Sequence, residues 1–74
     1  MDDALKWKRV ELEEVERCIA ESEKSIAELN EVIRELERNG SDTSTARAWL
    51  ALYEKFQGLH IICRDRLRRE LGSN

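Results

Sequence analysis

A heptad repeat of apolar residues over residues 5–36 is the feature that most constrains how this chain can fold. One series recurs at every seventh residue, and a second lies three residues after members of the first. The first series is Leu5, Leu12, Ile19, Ile26 and Ile33, and the second is Val15, Leu29 and Leu36. Apolar residues at these a and d positions, with charges between them, are typical of a helix that packs along another helix. The pattern predicts one helix over about residues 3–39, with Asp2 or Asp3 as its N-terminal cap.

The residues after this stretch predict a tight turn. Glycine closes a helix C-terminus at no steric cost, so the Asn39-Gly40 pair marks the end of the first helix. The next three residues, Ser41-Asp42-Thr43, are of the types that begin helices. A turn of about residues 40–42 then leads into a second helix, and a link this short predicts an antiparallel hairpin.

Two further glycines mark features of the second helix, which we expect over about residues 43–71. Gly72 is the expected stop, with Ser73 and Asn74 frayed beyond it. Gly58 interrupts the helical pattern, and it predicts either a close approach of another backbone or a slight bend.

The second helix carries an apolar seam of its own. Its members are Ala46, Trp49, Tyr53, Phe56, His60, Cys63 and Leu67. Folding the chain about the turn brings the two seams together in register, so that Ile33 faces Trp49 and Ser22 faces His60. The predicted fold class is therefore all-α, and residues 1–74 form one domain, a two-helix antiparallel coiled-coil hairpin.

Apolar residues beyond the two seams predict a second copy of the chain. A chain of 74 residues is too short for a single core to offset its chain entropy comfortably, so disulfides, a metal or self-association is expected to compensate. An apolar stripe wider than a two-stranded seam indicates a bundle of more than two helices. The simplest closure is a twofold homodimer that forms a four-helix bundle. The residues expected at this dimer interface are Leu5, Trp7, Cys18, Val32, Leu52, Leu59 and Ile62.

Composition and charge argue against secretion, membrane insertion and bulk attraction to nucleic acid. The net charge of −3 does not favour bulk attraction to nucleic acid or to an anionic membrane. The first fifteen residues are too charged for a signal peptide, and no apolar run approaches the roughly 18 residues that span a bilayer. Two cysteines, Cys18 and Cys63, are too few for a secreted disulfide framework. A cytoplasmic location is expected.

A basic run near the end of the second helix could contact phosphates. Its members are Arg64, Arg66, Arg68 and Arg69. The run lacks interleaved glycine or aromatic residues, and in the hairpin register it lies against an acidic stretch that includes Glu11 and Glu16. The pattern favours charge complementarity between the helices over nucleic-acid binding, which stays the alternative.

His60 and Cys63, with Cys18 across the hairpin, raise the question of a metal site. Zinc requires four ligands, and a fourth is missing unless a twofold axis pools ligands from two chains. The pattern favours a polar layer in the core, in which Ser22 and His60 hydrogen-bond and fix the register. No metal and no cofactor is expected.

Two periodic stripes have structural explanations. Trp49, Tyr53 and Phe56 follow one face at helical spacing, which is far more often a core than a ligand pocket. A second stripe repeats every seven residues on the first helix, at Glu14, Glu21, Glu28 and Glu35. These carboxylates are expected to face water, without the apolar wall or histidine that would make them an acid–base pair.

Several short segments resemble those of a known group of proteins. The segments are Cys18-Ile19-Ala20-Glu21-Ser22-Glu23, then Gly40-Ser41-Asp42-Thr43 followed by Ala46 and Leu50, and finally His60 with Arg64-Asp65-Arg66-Leu67. Together they resemble short uncharacterised bacterial α-helical hairpin proteins with a helix–G-x-D-T–helix layout and an (H/C)-R-D-R-L-like ending. The resemblance covers most of the chain and implies the hairpin fold. It implies no activity.

The sequence thus predicts a small protein–protein interaction or scaffolding module that acts as a homodimer and is not an enzyme. Its further protein partner is not specified by any motif. The alternative is a nucleic-acid-associated regulator that uses the basic face of the second helix. Trp7 is the strongest candidate for contact with a partner, because an exposed tryptophan on a projecting helix end is costly unless another surface covers it.

Overall fold

The computed structural model describes residues 3–72, which form two α-helices packed against each other. Helix α1 spans Asp3–Arg38 and helix α2 spans Ser44–Gly72. The prediction of an all-α hairpin is confirmed. The expected cap at Asp2 and the expected fraying of Ser73 and Asn74 lie outside the described residues.

The turn between the helices is built by the C-terminal cap of α1. Gly40 has a φ of +69°, the left-handed conformation that the sequence predicts for it. Its N–H donates to the carbonyl oxygen of Glu37 at 3.1 Å, and the N–H of Ser41 donates to that of Leu36 at 2.8 Å. These two bonds form a Schellman motif, which satisfies carbonyl groups that would otherwise have no partner at the helix end.

The start of α2 is stabilised by side chains of the turn. Asp42 Oδ1 accepts hydrogen bonds from the backbone N–H of Ser44 at 2.9 Å and from its hydroxyl at 2.7 Å. The carbonyl of Thr43 accepts the first helical bond, from the N–H of Arg47 at 2.9 Å. The turn therefore ends one helix and begins the next with almost no intervening chain, and this forces the antiparallel arrangement.

The contact between the helices buries a thin core. Its buried residues are Ile19, Ser22, Ile33, Ala46 and Leu67. Leu67 is the least exposed of the apolar members, at 2%. The remaining seam residues of α1, such as Leu12, Val15 and Leu29, are half-buried. Two helices alone therefore cover each seam only in part.

The face that α2 turns toward α1 agrees with the predicted seam at five of its seven residues, which are buried or half-buried: Ala46, Tyr53, His60, Cys63 and Leu67. Trp49 and Phe56, predicted to face Ile33 and Ile26 in the seam, are 52% and 49% exposed. That part of the prediction was wrong. The half-buried positions of α2 also include Leu50, Gln57 and Arg64, which lie four residues after Ala46, Tyr53 and His60. On that side of α2, Arg47 and Arg68 form ion pairs with Glu37 and Glu16 of α1, and the bulky aromatic rings lie at the other edge.

Gly58 has no neighbour that explains it. A Cβ atom built at this position would meet nothing within 4 Å, so no backbone approaches it closely. Helix α2 also continues through Gly58 without a break. The predicted close approach is absent within the hairpin.

The hairpin is a rod rather than a compact domain. Its principal extents are 59 × 14 × 14 Å and its radius of gyration is 16.9 Å, whereas a compact chain of this length would have a radius of gyration of about 11 Å. The accessible surface area is 5760 Å², compared with about 4,700 Å² for a compact monomer of this mass. The hairpin therefore exposes about 1,000 Å² more than a compact fold would.

Candidate functional site: an exposed apolar face

One side of the hairpin exposes a row of large apolar side chains, which we call the apolar face. Its members are Val32, Trp49, Leu52, Phe56, Leu59 and Ile62. Their exposed fractions run from 41% for Leu52 to 67% for Ile62. Scattered apolar residues are common on protein surfaces, but a continuous row along one side is typical of an interaction surface.

An open groove runs between the two helices on this side. In the half nearer the turn it is lined by Ser25, Glu28, Leu29, Val32, Trp49 and Tyr53. Further from the turn the lining residues are Cys18, Glu21, Ser22, Ser25, Tyr53, Phe56 and His60. The ring centroids of Trp49 and Tyr53 are 6.5 Å apart, within the range of aromatic contact, and this contact keeps the indole over the groove.

The opposite side of the hairpin is polar and is bridged by two ion pairs. Arg47 contacts Glu37 at 2.9 Å near the turn, and Arg68 contacts Glu16 at 2.7 Å in the other half. The residue numbers in each pair add to 84, so the two pairs also define the register of the hairpin. Exposed pairs contribute little to stability individually. These two nevertheless show that charged side chains on this side of the hairpin pair with each other within the chain.

The two edges of the apolar face carry opposite charges. On α1, Glu21 and Glu28 line the groove, so at least these two members of the acidic stripe border the apolar face. On α2, Lys55 and Arg69 lie seven residues before and after Ile62, on the same line along the helix. The apolar face is therefore bordered by carboxylates along α1 and by cations along α2.

Ser22 and His60, predicted to form a polar layer, line the same groove. No hydrogen bond joins their side chains. Ser22 is buried, and its hydroxyl donates to the carbonyl oxygen of Ile19 at 2.9 Å. His60 is half-buried, and its Nδ1 atom is inaccessible and has no hydrogen-bond partner. The expected bond between the two side chains is absent because the serine hydroxyl bonds to its own helix instead.

The cysteines are free thiols in the hairpin. Cys18 lines the groove of the apolar face, and both Cys18 and Cys63 are half-buried. Among residues 3–72, no group of three or more His, Cys, Asp or Glu side chains has the geometry to hold a metal ion.

Half of the basic run is engaged with carboxylates of the chain itself. Arg68 forms the ion pair with Glu16, and Arg64 contacts Asp65 at 3.0 Å. Arg66 and Arg69 are exposed and form no ion pair within the described part of the chain. Arg66 lies seven residues after Leu59, and so continues the line of the apolar face toward the end of α2.

The N-terminal end of α1 projects beyond α2. In the register of the two ion pairs, the last residue of α2 lies level with about residue 11 or 12 of α1, so about eight residues project, or about 12 Å. Leu5 is half-buried there, whereas Trp7 is 66% exposed and Val10 is also exposed. Lys8 reaches back to Glu70 at 3.6 Å.

Trp49 and Phe56 are the members of the apolar face that sequence reasoning assigned to the core. A sequence signal for their true position exists. Trp49, Leu52, Phe56 and Leu59 are spaced three, four and three residues apart, which is a heptad pattern of its own. Helix α2 therefore carries two apolar stripes that share one edge, and only one of them packs against α1.

No helix among the described residues is both long and apolar enough to cross a membrane. Comparisons with protein-family models, with curated proteins and with solved structures find no match to this chain. The function must therefore be argued from the surface of the hairpin itself.

Proposed function

We propose that this chain is a protein–protein interaction module that acts as a homodimer, in which two hairpins pack through their apolar faces to form a four-helix bundle. The module is not an enzyme: it supplies a binding surface and no reaction chemistry. The observation that carries the proposal is the row of six large apolar side chains on one side of a rod whose opposite side is bridged by ion pairs.

The exposed area fits what a stable dimer requires. Specific protein–protein interfaces bury about 800 Å² on each partner. The hairpin exposes about 1,000 Å² more than a compact monomer of its mass, so one such interface would bring its surface close to that of a compact fold. Burying aromatic and aliphatic side chains also supplies the main driving force for association.

The interface would extend beyond the six residues of the apolar face. Cys18 lines the same groove and would be covered with them. Leu5 and Trp7, on the projecting end of α1, would pack against the second copy. The surfaces left outside the bundle would then be available to a further protein partner.

The nucleic-acid alternative receives no specific support from the surface. Two of the four arginines in the basic run already contact carboxylates of the chain. The other two, Arg66 and Arg69, lie on the side that the acidic edge of α1 borders. Repulsion between those carboxylates and phosphates would oppose binding.

The experiment that tests the proposal is a measurement of molar mass by light scattering after gel filtration over a range of concentrations. We expect twice the chain mass of 8.7 kDa. Leu59→Glu, which places a charge in the middle of the apolar face, should give a folded monomer. The matched control is Ala27→Glu. Ala27 is exposed, and it lies seven residues after Ala20, which lines the polar side of the hairpin beside Glu16 and Arg68.

Two results would contradict the proposal. One is a wild-type chain that is folded and monomeric at all concentrations. The other is a Leu59→Glu variant that keeps the doubled mass, since the apolar face would then not be the interface.

A further inference from the structure

We propose that the two hairpins of the dimer lie with their turns at the same end of the bundle, and that the charged edges of the apolar face select this arrangement. The inference rests on the proposed homodimer. It adds the orientation of the second copy and names the ion pairs that would form across the interface.

Two hairpins can pack face to face in two twofold-symmetric ways. If the twofold axis runs along the rod, both turns lie at one end, and α1 of each copy packs against α2 of the other. If the axis runs across the rod, the turns lie at opposite ends, and each helix packs against its own copy. Both arrangements make every neighbouring pair of helices antiparallel, so helix direction does not discriminate between them.

The charges at the edges of the apolar face do discriminate. The α1 edge carries the acidic stripe of Glu14, Glu21, Glu28 and Glu35, and the α2 edge carries Lys55 and Arg69. With the turns at opposite ends, the acidic edge of one copy would meet the acidic edge of the other, and the basic edges would meet likewise. With the turns at the same end, Glu14 and Glu28 meet Arg69 and Lys55, whereas Glu21 and Glu35 lie level with the uncharged Ile62 and Ala48 of the same line. Facing like charges oppose association, whereas opposite charges favour it.

The register of the hairpin places these charges at matching heights. Residues of α1 and α2 whose numbers add to between 82 and 84 lie level with each other, as the pairs Glu37–Arg47 and Glu16–Arg68 and the groove neighbours Leu29 and Tyr53 indicate. An axis along the rod preserves height. Glu28 of one copy would therefore lie level with Lys55 of the other copy.

The same rule brings Glu14 level with Arg69 of the second copy. Glu14 already contacts Arg17 at 2.9 Å within its own helix, so this contact would be shared. Glu28 and Lys55 form no ion pair within residues 3–72, and both are exposed. This makes Glu28 and Lys55 the decisive pair.

The apolar side chains fit the same arrangement. With the turns at one end, Leu52 of one copy lies level with Val32 of the other, since their numbers add to 84. The projecting ends of the two α1 helices also come to the same end of the bundle.

A charge-swap experiment tests the arrangement through the sign of its effect. Glu28→Lys and Lys55→Glu each place like charges opposite each other twice per dimer if the turns lie at the same end. We expect each single variant to raise the dimer dissociation constant about tenfold in low salt, and the double variant to return to within about twofold of the wild type. Analytical ultracentrifugation measures these constants, and high salt should reduce the differences.

The opposite arrangement gives the opposite result. There each single substitution would replace one charge in a row of like charges, so it would leave the dimer unchanged or strengthen it. Single variants that do not weaken the dimer would overturn the orientation and leave the homodimer standing. A chain that is monomeric at every concentration would instead contradict the proposed function, and the orientation with it.

A distance measurement provides an independent second test. Spin labels at Ser41→Cys, in a chain with Cys18→Ser and Cys63→Ala, mark the two turns of the dimer. We expect a distance well below the 59 Å length of the rod if the turns share an end. A distance approaching that length would overturn the inference. The labelled chain must first keep the wild-type molar mass, so that the distance is measured in the same dimer.

Discussion

At the scale of single residues, the conformation of the hairpin requires glycine at position 40 but not at position 58. Gly40 has a φ of +69°, which a side chain would strain. Gly58 lies within a helix, and a Cβ atom there would meet nothing within 4 Å. The chain therefore needs glycine at the turn, whereas the hairpin provides no packing reason for glycine at position 58.

We expect Gly58→Ala to stabilise the protein by about 0.5–1 kcal/mol, because alanine loses less backbone entropy in a helix and finds open space here. Gly40→Ala is the matched comparison, and it should destabilise by about 1 kcal/mol or more since alanine disfavours positive φ. Urea unfolding followed by circular dichroism measures both. If Gly58→Ala were destabilising, the second copy would have to approach the backbone at that point.

At the scale of the helices, the start of α2 depends on a charged cap. The pKa of Asp42 lies below its usual value near 3.8, because its carboxylate accepts hydrogen bonds from the hydroxyl and from the backbone N–H of Ser44. A carboxyl group whose pKa is lower in the folded than in the unfolded state stabilises the fold when it is ionised. This contribution is complete above the unfolded pKa, and it is lost as the pH falls through the folded pKa.

We therefore expect Asp42→Ala to lower the Tm at pH 7 and to lower it less at pH 2, because the wild-type carboxyl loses its charge as the pH falls through its folded pKa. Asp42→Asn serves as the control, since it keeps a hydrogen-bond acceptor and removes the titration. Thermal unfolding of the three proteins at both pH values measures the effect. Equal losses of Tm at pH 7 and pH 2 for Asp42→Ala would show that the ionised form has no special role in the cap.

Much of the helical layout could be predicted from the sequence because its determinants are local. The left-handed Gly40 and the bonds from Asp42 to Ser44 involve residues within a few positions of each other, so their types alone indicate a turn. The side of α2 that meets α1 is a tertiary property. Helix α2 has apolar residues on two adjoining stripes, and the hydrophobic pattern favoured the stripe with Trp49 and Phe56.

The candidate site was only partly predictable for the same reason. Val32, Leu52, Leu59 and Ile62 were expected at an interface from their positions beside the seam, and the hairpin leaves all four exposed. The ion pairs of Arg47 and Arg68 with α1 join residues 10 and 52 positions apart. The hairpin register predicted that the basic run would lie against the acidic stretch that includes Glu16, and the contact of Arg68 with Glu16 agrees with it. The register did not indicate which stripe of α2 would be left outside.

At the scale of the whole molecule, the accessible surface area of the hairpin is large relative to the small number of residues that it buries. It is 59 Å long and 14 Å thick, and only five of its described residues are buried. Helices joined by a single thin seam gain most of their stability from burying that seam further. The stability of the folded chain should therefore depend on association.

We expect the Tm to rise by about 5 °C for each tenfold increase in protein concentration, as for a dimer that unfolds to separate chains. Leu59→Glu should remove this dependence and lower the Tm, whereas Ala27→Glu should keep it. Differential scanning calorimetry over a hundredfold range of concentration measures the effect. A wild-type Tm that does not change over this range would mean that each hairpin is stable alone.

The graded spacing of the contacts between α1 and α2 also has a consequence for how the chain folds. Glu37 and Arg47 are 10 residues apart, whereas Glu16 and Arg68 are 52 apart. The entropy lost on closing a loop increases with its length, but each pair that forms shortens the loop left for the next. Folding would begin at the turn and proceed outward one helical turn at a time. A force that pulls the two ends of the chain apart would reverse this order, opening the hairpin first at the end that carries Trp7.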